Sequence, residues 1–478
     1  MKEKFYITTP IYYPNDIPHL GHAYTTISAD VLSRWNLLLG KEVFFLTGTD
    51  EHGKKIEKSA EEKNKSPKEF VDLVMPQFKE AWKKLNIDYS KFIRTTDKEH
   101  KKIVQEILEK IYKKGDIYKG TYEGLYCTSC EAYFTEKDSP DKKCPIHKKE
   151  LEILKEESYF FRLSKYQKVL LDLYKKNPDF ISPESKKKEI MNRVKEELKD
   201  FSISRSTFNW GIPLPFDNKH ITYVWFDALL NYYSATREKG NEKFWPADLH
   251  IIGKDILWFH AVYLPAILKS ADLEQPNKIF AHGWWTINGE KMSKSLKNVI
   301  SINELINYAG VDSARYFLLR ECPFGEDGDF SSKMLIERHN NELANKLGNL
   351  ISRVSTLAEK YGIEKNSSKE LDSNTLIKST KEHLNNLEFD KALNEIFSFI
   401  DKCNEYIQGK KPWETKDKEV LYTLSNAIKD ISILLYPFMP ETSNKISKTF
   451  NFDISLKSLK EQIKPSKISK AEVLFAKV

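Results

Sequence analysis

The sequence predicts an α/β protein: a parallel-sheet domain that is interrupted by an insertion and followed by an antiparallel α-helical bundle. Apolar strand-like runs alternate with helical runs up to about residue 115 and again from 221 to 285. Between these two parts the alternation stops, and three of the five cysteines occur there. From about residue 336 the apolar spacing is helical and the connections are short, which predicts antiparallel helices.

Composition narrows the class of protein. The 478 residues are 40% hydrophobic and 30% charged, the profile of a soluble globular protein with several structural units. The net charge of +7 is small for this length, and by itself it supports nucleic-acid binding only weakly. The odd, clustered set of cysteines argues against a disulfide framework, and no targeting segment or long apolar run is visible. We therefore expect a cytoplasmic protein.

The first part of the chain predicts a βαβ unit. Residues 4–9 predict a strand, prolines interrupt the chain between positions 10 and 18, and a helix is expected over about 21–39 before a second strand. His19 and His22 then lie at the helix N-terminus, where free N–H groups and the helix dipole attract phosphate. Gly21 has no side chain, so a flat ligand could approach the backbone there. The alternative is two polar residues in a solvent loop.

A lysine pair marks the other candidate ligand site. Lys291 and Lys294 are three residues apart among small polar residues, which suits a mobile loop that closes over a polyphosphate. Alone, such a loop is usually ordinary surface. Together with the two histidines, it favours a site that binds a nucleoside triphosphate.

The insertion contains a candidate metal site. Cys127 and Cys130 form one pair with two residues between them, and Cys144 and His147 form a second. Four such ligands fill the tetrahedral positions of one structural Zn²⁺. The alternative is three buried cysteines and a surface histidine. Cys322 and Cys403 have no such spacing and are expected to be packing residues.

The quoted motifs resemble a known family. Residues 18–22, Pro-His-Leu-Gly-His, and 291–295, Lys-Met-Ser-Lys-Ser, resemble the two signature motifs of class I aminoacyl-tRNA synthetases, with Leu20 in place of the commoner isoleucine. Longer stretches resemble the methionyl-tRNA synthetases among them, namely 6–13, 46–53, 223–229 and 252–256. The resemblance implies activation of L-methionine with Mg²⁺-ATP to methionyl-adenylate and pyrophosphate. Methionine then passes to the 3′-terminal ribose of tRNA(Met).

The resemblance also implies five domains. It predicts a Rossmann-type catalytic domain in two halves (1–115 and 221–285), an inserted connective domain with one zinc knuckle (116–220), a connecting domain with the lysine loop (286–335) and an anticodon-binding bundle (336–478). Because nothing up to Val478 resembles the dimer-forming appendage of some relatives, we expect a monomer.

The roles of individual residues follow from the same resemblance. His19 and His22 would donate to the phosphates, and Lys291 and Lys294 would stabilise the pyrophosphate. The adenosine side would be formed by Gly21, Gly253 and Asp255. Methionine would be held by Asp50 at its ammonium group, with Arg205 as the orienting partner of Asp50, and by a pocket of Ile11, Tyr13, Trp225, Ala228, Leu229, Tyr232, Ile256 and His260.

Simpler structural explanations exist for the aromatic pocket residues and for the residues that the resemblance assigns to the anticodon. An aromatic stripe such as 225–232 is usually an ordinary core face, although a thioether does favour aromatic contact. Asn349, Arg353 and Trp413 would read the anticodon, since amide and guanidinium groups reach base edges and an indole stacks on bases. The alternative for Asn349 and Arg353 is helix-surface polarity.

Two other functions remain open at this point. A class I synthetase for another apolar amino acid is disfavoured by Trp225 and Tyr232 and by the lack of a large editing insertion. A tRNA-binding module with an inactive nucleotide fold would require loss of the histidines or lysines, and both motifs are intact.

Overall fold

A computed structural model describes residues 2–128, 132–134, 139, 141–145, 148–292 and 298–478. Its strands are β1 (Lys4–Tyr12), β2 (Glu42–Thr49), β3 (Lys91–Arg94), β4 (Ile117–Cys127), β5 (Ala132–Phe134), β6 (Glu152–Phe161), β7 (Ile181–Ser182), β8 (Phe201–Ser202), β9 (Ser204–Arg205), β10 (Pro213–Leu214), β11 (Asp217–Thr222), β12 (Leu249–Gly253), β13 (Ile279–His282), β14 (Trp285–Ile287), β15 (Glu290–Lys291) and β16 (Gly328–Asp329).

The α-helices are α1 (Leu20–Leu38), α2 (Lys54–Glu61), α3 (Pro67–Lys84), α4 (Lys98–Lys113), α5 (Gln167–Lys176), α6 (Glu184–Lys195), α7 (Val224–Leu229), α8 (Asn231–Ser234), α9 (Leu264–Ser270), α10 (Ile302–Ala309), α11 (Val311–Arg320), α12 (Ser332–Arg338), α13 (Asn349–Tyr361), α14 (Asn374–Asn385), α15 (Phe389–Lys410), α16 (Pro412–Thr415), α17 (Lys418–Leu435), α18 (Pro440–Phe450) and α19 (Leu456–Lys460). Short 3₁₀ helices span Leu163–Tyr166, Glu242–Phe244 and Lys254–Ile256, and π-helices span Phe259–Tyr263 and His339–Gly348.

The central sheet is parallel, as the sequence predicts. Among the described residues its strand order is β3-β2-β1-β12-β13-β7, and every neighbouring pair is parallel. Side chains alternate between its faces: Tyr6 packs into one buried core, and Ile7 packs into the other. The parallel α/β core and the helical C-terminal part are therefore confirmed.

Strand β1 is longer than predicted. It continues through Pro10 to Tyr12, and its register with β2 shifts between Thr8 and Ile11. Proline has no N–H to give to the ladder, so the pairing skips at that point and resumes beyond it. The prediction that Pro10 ends regular structure was wrong. The longer strand carries Ile11 to the carboxyl edge of the sheet.

The segment 116–220 contributes strands to three sheets, one of which is a small antiparallel sheet in the order β10-β11-β9. Strands β5, β4, β6 and β8 form an antiparallel sheet in that order. Strand β7, from the same segment, pairs with β13 at the edge of the central sheet. The chain therefore returns to the parallel sheet before residue 220.

A buried arginine joins helix α1, which packs on the parallel sheet, to the C-terminal helical part. Arg315 on α11 is fully buried, and its Nη2 donates to Asp30 Oδ2 on α1 at 2.6 Å. The same guanidinium donates to the carbonyl oxygens of Pro437 (2.9 Å) and Phe438 (2.8 Å), which lie between α17 and α18. Because one buried guanidinium bonds to α1 and to the connection between α17 and α18, these parts of the chain pack together as one unit here.

Candidate active site

The two histidines begin helix α1 and cap it. His19 Nδ1 accepts from the N–H of Gly21 (3.1 Å), and His22 Nδ1 accepts from the N–H of His19 (3.2 Å). Because each Nδ1 is an acceptor, each neutral ring carries its proton on Nε2. The capping bonds therefore fix the tautomer in which Nε2–H can donate to a ligand.

Both imidazoles are kept neutral. Loss of hydration in the surrounding protein lowers the pKa of His19 to about 4, against an opposing effect of Asp16 and with a smaller lowering by Lys291. The pKa of His22 is lowered well below its usual value by the same loss of hydration, with further lowering by His19 and Lys55. At neutral pH these rings donate hydrogen bonds without adding full positive charges.

The backbone brings the segment after the lysine loop to these histidines. The N–H of Leu20 donates to the carbonyl of Ile300 at 3.0 Å, and His19 pairs with Ser301 in an isolated bridge. A Cβ on Gly21 would lie 3.1 Å from His19 Cε1 and 3.8 Å from the Met292 methyl, so a side chain there would crowd the ring. Lys294 lies outside the described residues. The two motifs, about 270 residues apart in sequence, are thus neighbours in space.

An indole links Lys291 to the predicted ribose acceptor. The ammonium of Lys291 lies 3.9 Å from the ring centre of Trp284, and Trp284 Nε1 donates to Asp255 Oδ1 at 3.1 Å. Lys254 also lies over this ring at 4.4 Å, and it pairs with Asp327 at 2.6 Å. A Cβ on Gly253 would lie only 2.7 Å from Asp255 Oδ1, so glycine is required for this placement of the carboxylate.

Asp50 follows β2 in a loop held from several sides. The N–H of Asp50 donates to the carbonyl of Tyr12 at 2.9 Å, and the Asp50 side chain is buried. The next residue, Glu51, accepts from Arg94 Nε at 2.7 Å, while its N–H donates to Thr95 Oγ1 at 2.9 Å. This loop places a buried carboxylate at the edge of the sheet where ligands bind in α/β folds.

The predicted aromatic pocket contains a hydrogen-bond chain. His260 Nδ1–H donates to the carbonyl of Ile256 at 3.0 Å, so its Nε2 accepts from the Tyr232 hydroxyl at 2.7 Å. Burial lowers the pKa of His260 to about 4 and raises the pKa of Tyr232. Both groups therefore stay neutral, and each is held in one orientation.

The remaining pocket residues surround this chain. The Trp225 ring stacks on Phe259 at 3.8 Å between centres, and Ala228 and Leu229 are buried on the same helix, α7. The predicted single stripe is broken at Leu230, where α7 ends and α8 begins. Ile11 is half-buried, and Tyr13, also half-buried, lies under the Lys55 ammonium at 4.9 Å.

Arg205 is almost fully buried on β9. Its Nη1 donates to Ser202 Oγ (2.8 Å) and to the carbonyl of Ser204 (2.7 Å), and its guanidinium lies 4.4 Å from the ring centre of Tyr223. These contacts fix the guanidinium in place. Its pairing with Asp50 stays a prediction.

The three predicted anticodon residues lie on the C-terminal helices. Asn349 is exposed at the start of α13, one turn before Arg353. The Arg353 guanidinium lies 5.1 Å from the ring centre of Trp413 and donates to Gln408 Oε1 at 3.2 Å. The structure thus brings Arg353 and Trp413 together across 60 residues of sequence.

Two of the four predicted zinc ligands lie within the described residues. Cys127 ends β4, and it shares one small buried cluster with Cys144, Leu125 and Leu151. The N–H of Lys148 donates to the carbonyl of Cys144 at 2.8 Å, which closes a tight turn after that cysteine. Cys130 and His147 lie outside the described residues. Within the described part of the chain, no three metal-ligating side chains form a group.

Sequence reasoning missed several residues of this region. His52 and Asp227 lie inside the motifs already quoted, at 46–53 and 223–229. The signal for Asp227 was a carboxylate in an otherwise apolar run, whereas His52 follows two acidic residues and had no such signal. His100 and Trp284 carried no motif of their own. Their positions depend on contacts between distant parts of the chain.

Family models match nearly the whole chain. The model described as "tRNA synthetases class I (M)" matches residues 5–152 and 136–355, and the one described as "Anticodon-binding domain of tRNA ligase" matches 372–476. The methionine–tRNA ligase of Caldanaerobacter subterraneus is 46% identical, and the alignment covers all of this chain and 79% of that protein. This chain belongs to the class I methionyl-tRNA synthetases. As a member of that family it is an aminoacyl-tRNA synthetase.

Further relatives and solved structures agree with this membership. The methionine–tRNA ligase of Clostridium acetobutylicum is 45% identical over all of this chain and 78% of its own length. Methionyl-tRNA synthetase of Mycobacterium tuberculosis in complex with methionyl-adenylate superimposes with a TM-score of 0.94, at 35% identity over 98% of this chain and 99% of that one. Its free form gives 0.88 at 32% identity, over 100% and 99% of the two chains. None of the helices described for the present synthetase is both long and apolar enough to cross a membrane.

Proposed function

We propose that this synthetase activates L-methionine with ATP and transfers it to the 3′-terminal ribose of tRNA(Met), using the residues assigned above. The observation that carries the proposal is the meeting of the two motifs: Leu20 bonds to Ile300, and Met292 lies beside Gly21. We assign the neutral histidines, Lys291 and Lys294 to the binding of one nucleotide.

In the first step a methionine carboxylate oxygen attacks the α-phosphorus of ATP, the bond to the β-phosphate breaks, and pyrophosphate leaves. The Nε2–H groups of His19 and His22 donate to phosphate oxygens next to the helix N-terminus. Lys291 and Lys294 stabilise the charge that grows on the pyrophosphate, and Mg²⁺ enters with ATP as part of the substrate. Gly21 and Gly253 admit the nucleoside, and Asp255 accepts from its ribose hydroxyls.

Methionine recognition divides between charge and packing. Asp50 binds the ammonium group with Arg205 as its orienting partner. The thioether lies among the pocket side chains, where its polarisable sulfur favours aromatic rings. Ile11, Tyr13, Ala228, Leu229 and Ile256 shape this pocket, and Trp225, Tyr232 and His260 close it.

In the second step the terminal ribose hydroxyl of tRNA attacks the methionyl carbonyl, and AMP leaves. Asn349 and Arg353 offer hydrogen-bond donors to anticodon bases, and Trp413 offers a face for stacking. The Arg353–Trp413 contact supports a single reading surface. We place this reaction in the cytoplasm, where tRNA is charged for translation, and propose that the enzyme acts as a monomer.

A structural Zn²⁺ would hold the inserted sheet. Cys127 and Cys144 already share a buried cluster, and we propose that Cys130 and His147, each separated from one of these cysteines by two residues, complete the four ligands. When bound, the ion would cross-link β4 to the 141–151 segment. Metal analysis should find one zinc per chain, and Cys144→Ser should lose it; a preparation that is active without zinc would contradict the site.

ATP–pyrophosphate exchange tests the main proposal. Exchange should depend on methionine and should be far weaker with leucine or valine, because their branched side chains fill a pocket for a linear thioether differently. Exchange with leucine or valine but not with methionine would overturn the assignment. Aminoacylation of tRNA(Met) then tests the second step.

A further inference from the structure

A buried network of three ionisable side chains lies beside the proposed methionine pocket. Asp227 accepts from two imidazoles: His52 Nδ1 lies 2.6 Å from Oδ2, and His100 Nε2 lies 2.6 Å from Oδ1. The exposed fractions of His52, Asp227 and His100 are 4%, 1% and 2%. Ser234 Oγ completes the network at 2.7 Å from His100 Nδ1. None of these residues has a role in the reaction described above.

The chemistry of the network is defined by the carboxylate. Burial opposes ionisation of Asp227, but the nearby imidazoles of His52 and His100 lower its pKa, so it is an acceptor at neutral pH. Each imidazole must then present an N–H to it. His52 is thereby held with its Nδ1 towards α7, and His100 Nδ1 is left to pair with the Ser234 hydroxyl.

The network joins the two halves of the methionine pocket. His52 is two residues from Asp50, which is proposed to hold the ammonium group. Asp227 lies on α7 between Trp225 and Ala228, which are proposed to contact the side chain. His100 lies on α4, outside both halves. The hydrogen bond between His52 and Asp227 links the Asp50 loop to α7. It thereby restricts the distance between Asp50, which is proposed to bind the ammonium group, and the α7 side chains that are proposed to contact the thioether.

We propose that Asp227, His52 and His100 are positioning residues that set the length of the methionine pocket and so contribute to amino-acid selection. The inference rests on the proposed function. Two hydrogen bonds to one buried carboxylate are directional, so they add a restriction on the relative position of the Asp50 loop and α7 that non-directional apolar packing does not supply. If α7 is held at a fixed distance from Asp50, amino acids one methylene longer or shorter than methionine should bind more weakly.

Substitutions at His52 provide the sharpest test. His52→Leu removes the donor, whereas His52→Asn keeps an N–H near the position of Nδ1. We expect His52→Leu to raise the KM for methionine about tenfold in ATP–pyrophosphate exchange and to reduce the preference for methionine over ethionine by a similar factor. His52→Asn should recover most of both, and the KM for ATP should stay within about twofold.

Asp116→Asn is the matched control. Asp116 is also a buried carboxylate, and it accepts from Lys165, Tyr166 and Ser270. This variant should lower the unfolding midpoint without changing the preference for methionine over ethionine. If His52→Leu lowers only the midpoint or the active fraction, as Asp116→Asn does, the positioning role is wrong.

A second variant covers the case in which His52→Leu fails to fold. His100→Gln keeps a donor near Nε2 but loses the Ser234 contact, and we expect a smaller loss of preference in the same direction. If His52→Leu does not fold and a folded His100→Gln keeps the full preference for methionine over ethionine, the proposal is overturned. If the unaltered enzyme shows no methionine-dependent exchange, the proposed function itself fails, which is a separate result.

Discussion

The two sides of the proposed active site are built differently. On the methionine side, Asp50, Tyr232 and His260 are buried. Hydrogen bonds hold the side chains of Tyr232 and His260 and the backbone of Asp50. On the ATP side, Asp255 and Lys291 are exposed, and a single indole connects them. The first arrangement is formed before substrate arrives, whereas the second uses weak contacts that a polyphosphate can replace. We therefore expect the proposed methionine side to select its ligand and the proposed ATP side to rearrange when ATP binds.

The largest expected effect is on the nucleotide side. Lys294→Ala should reduce the rate of methionyl-adenylate formation about 10²- to 10³-fold, because a charge placed where negative charge develops acts mainly on the transition state. Rapid-quench measurement of adenylate formation would give the rate, and a filter assay would give tRNA binding. Binding of tRNA should be nearly unchanged; an equal loss of both would contradict the role.

Removal of the buried charge on the methionine side should have the next largest effect. Asp50→Asn should raise the KM for methionine roughly a hundredfold, since a hydrogen bond between charged groups is lost in a dry site. The KM for ATP serves as the internal reference and should change little. A similar rise in both constants would mean that Asp50 supports the sheet edge rather than the substrate.

Two substitutions of Trp284 can distinguish the contribution of its contact with Lys291 from that of its hydrogen bond to Asp255. Trp284→Phe keeps a ring under Lys291 but loses the N–H that Asp255 accepts, and Trp284→Leu loses both. We expect the KM for ATP to rise about threefold in the first and about tenfold in the second, with the KM for methionine unchanged. Equal values for the two variants would assign the whole effect to the hydrogen bond.

The smallest effect concerns acid sensitivity of the methionine side. Burial lowers the folded-state pKa of His260 to about 4, below the value near 6.5 of an exposed histidine. Between these values the unfolded chain binds more protons, so stability falls as the pH falls from 6.5 towards 4. This histidine alone should raise the unfolding equilibrium constant about eightfold between pH 7 and 5.5. Urea titrations at pH 7 and pH 5.5 would give the unfolding equilibrium constant of the unaltered enzyme and of His260→Gln. The pH-dependent increase should be about eightfold smaller in His260→Gln. An equal increase in the two proteins would refute the prediction.

Local signals in the sequence were sufficient to place the two histidines at the start of a helix, although Trp284 on the same side of the site was missed. Prolines before position 19 and the helical spacing after it placed His19 and His22 at the start of α1, because these signals act over a few residues. The methionine side depends on long-range contacts. The single helical stripe predicted for its aromatic residues is interrupted at Leu230, where α7 ends. The His52–Asp227–His100 network joins residues up to 175 positions apart, which no local pattern specifies. The edge position of β7 escaped prediction for the same reason.

The hydrogen bond of Arg315 to Asp30 connects the C-terminal part of the chain to the helix that begins at the two histidines. Arg315 donates to Asp30 and to the carbonyls of Pro437 and Phe438 in the connection between α17 and α18. Asp30 lies eleven residues along α1 from His19. At 1.5 Å per residue this is a lever arm of about 16 Å, so a tilt of about 4° at Asp30 displaces the histidines by about 1 Å. Displacements of that size change rates in a positioned active site by about a hundredfold. We therefore expect a displacement of the C-terminal helices to be transmitted along α1 to His19 and so to the phosphate contacts proposed there.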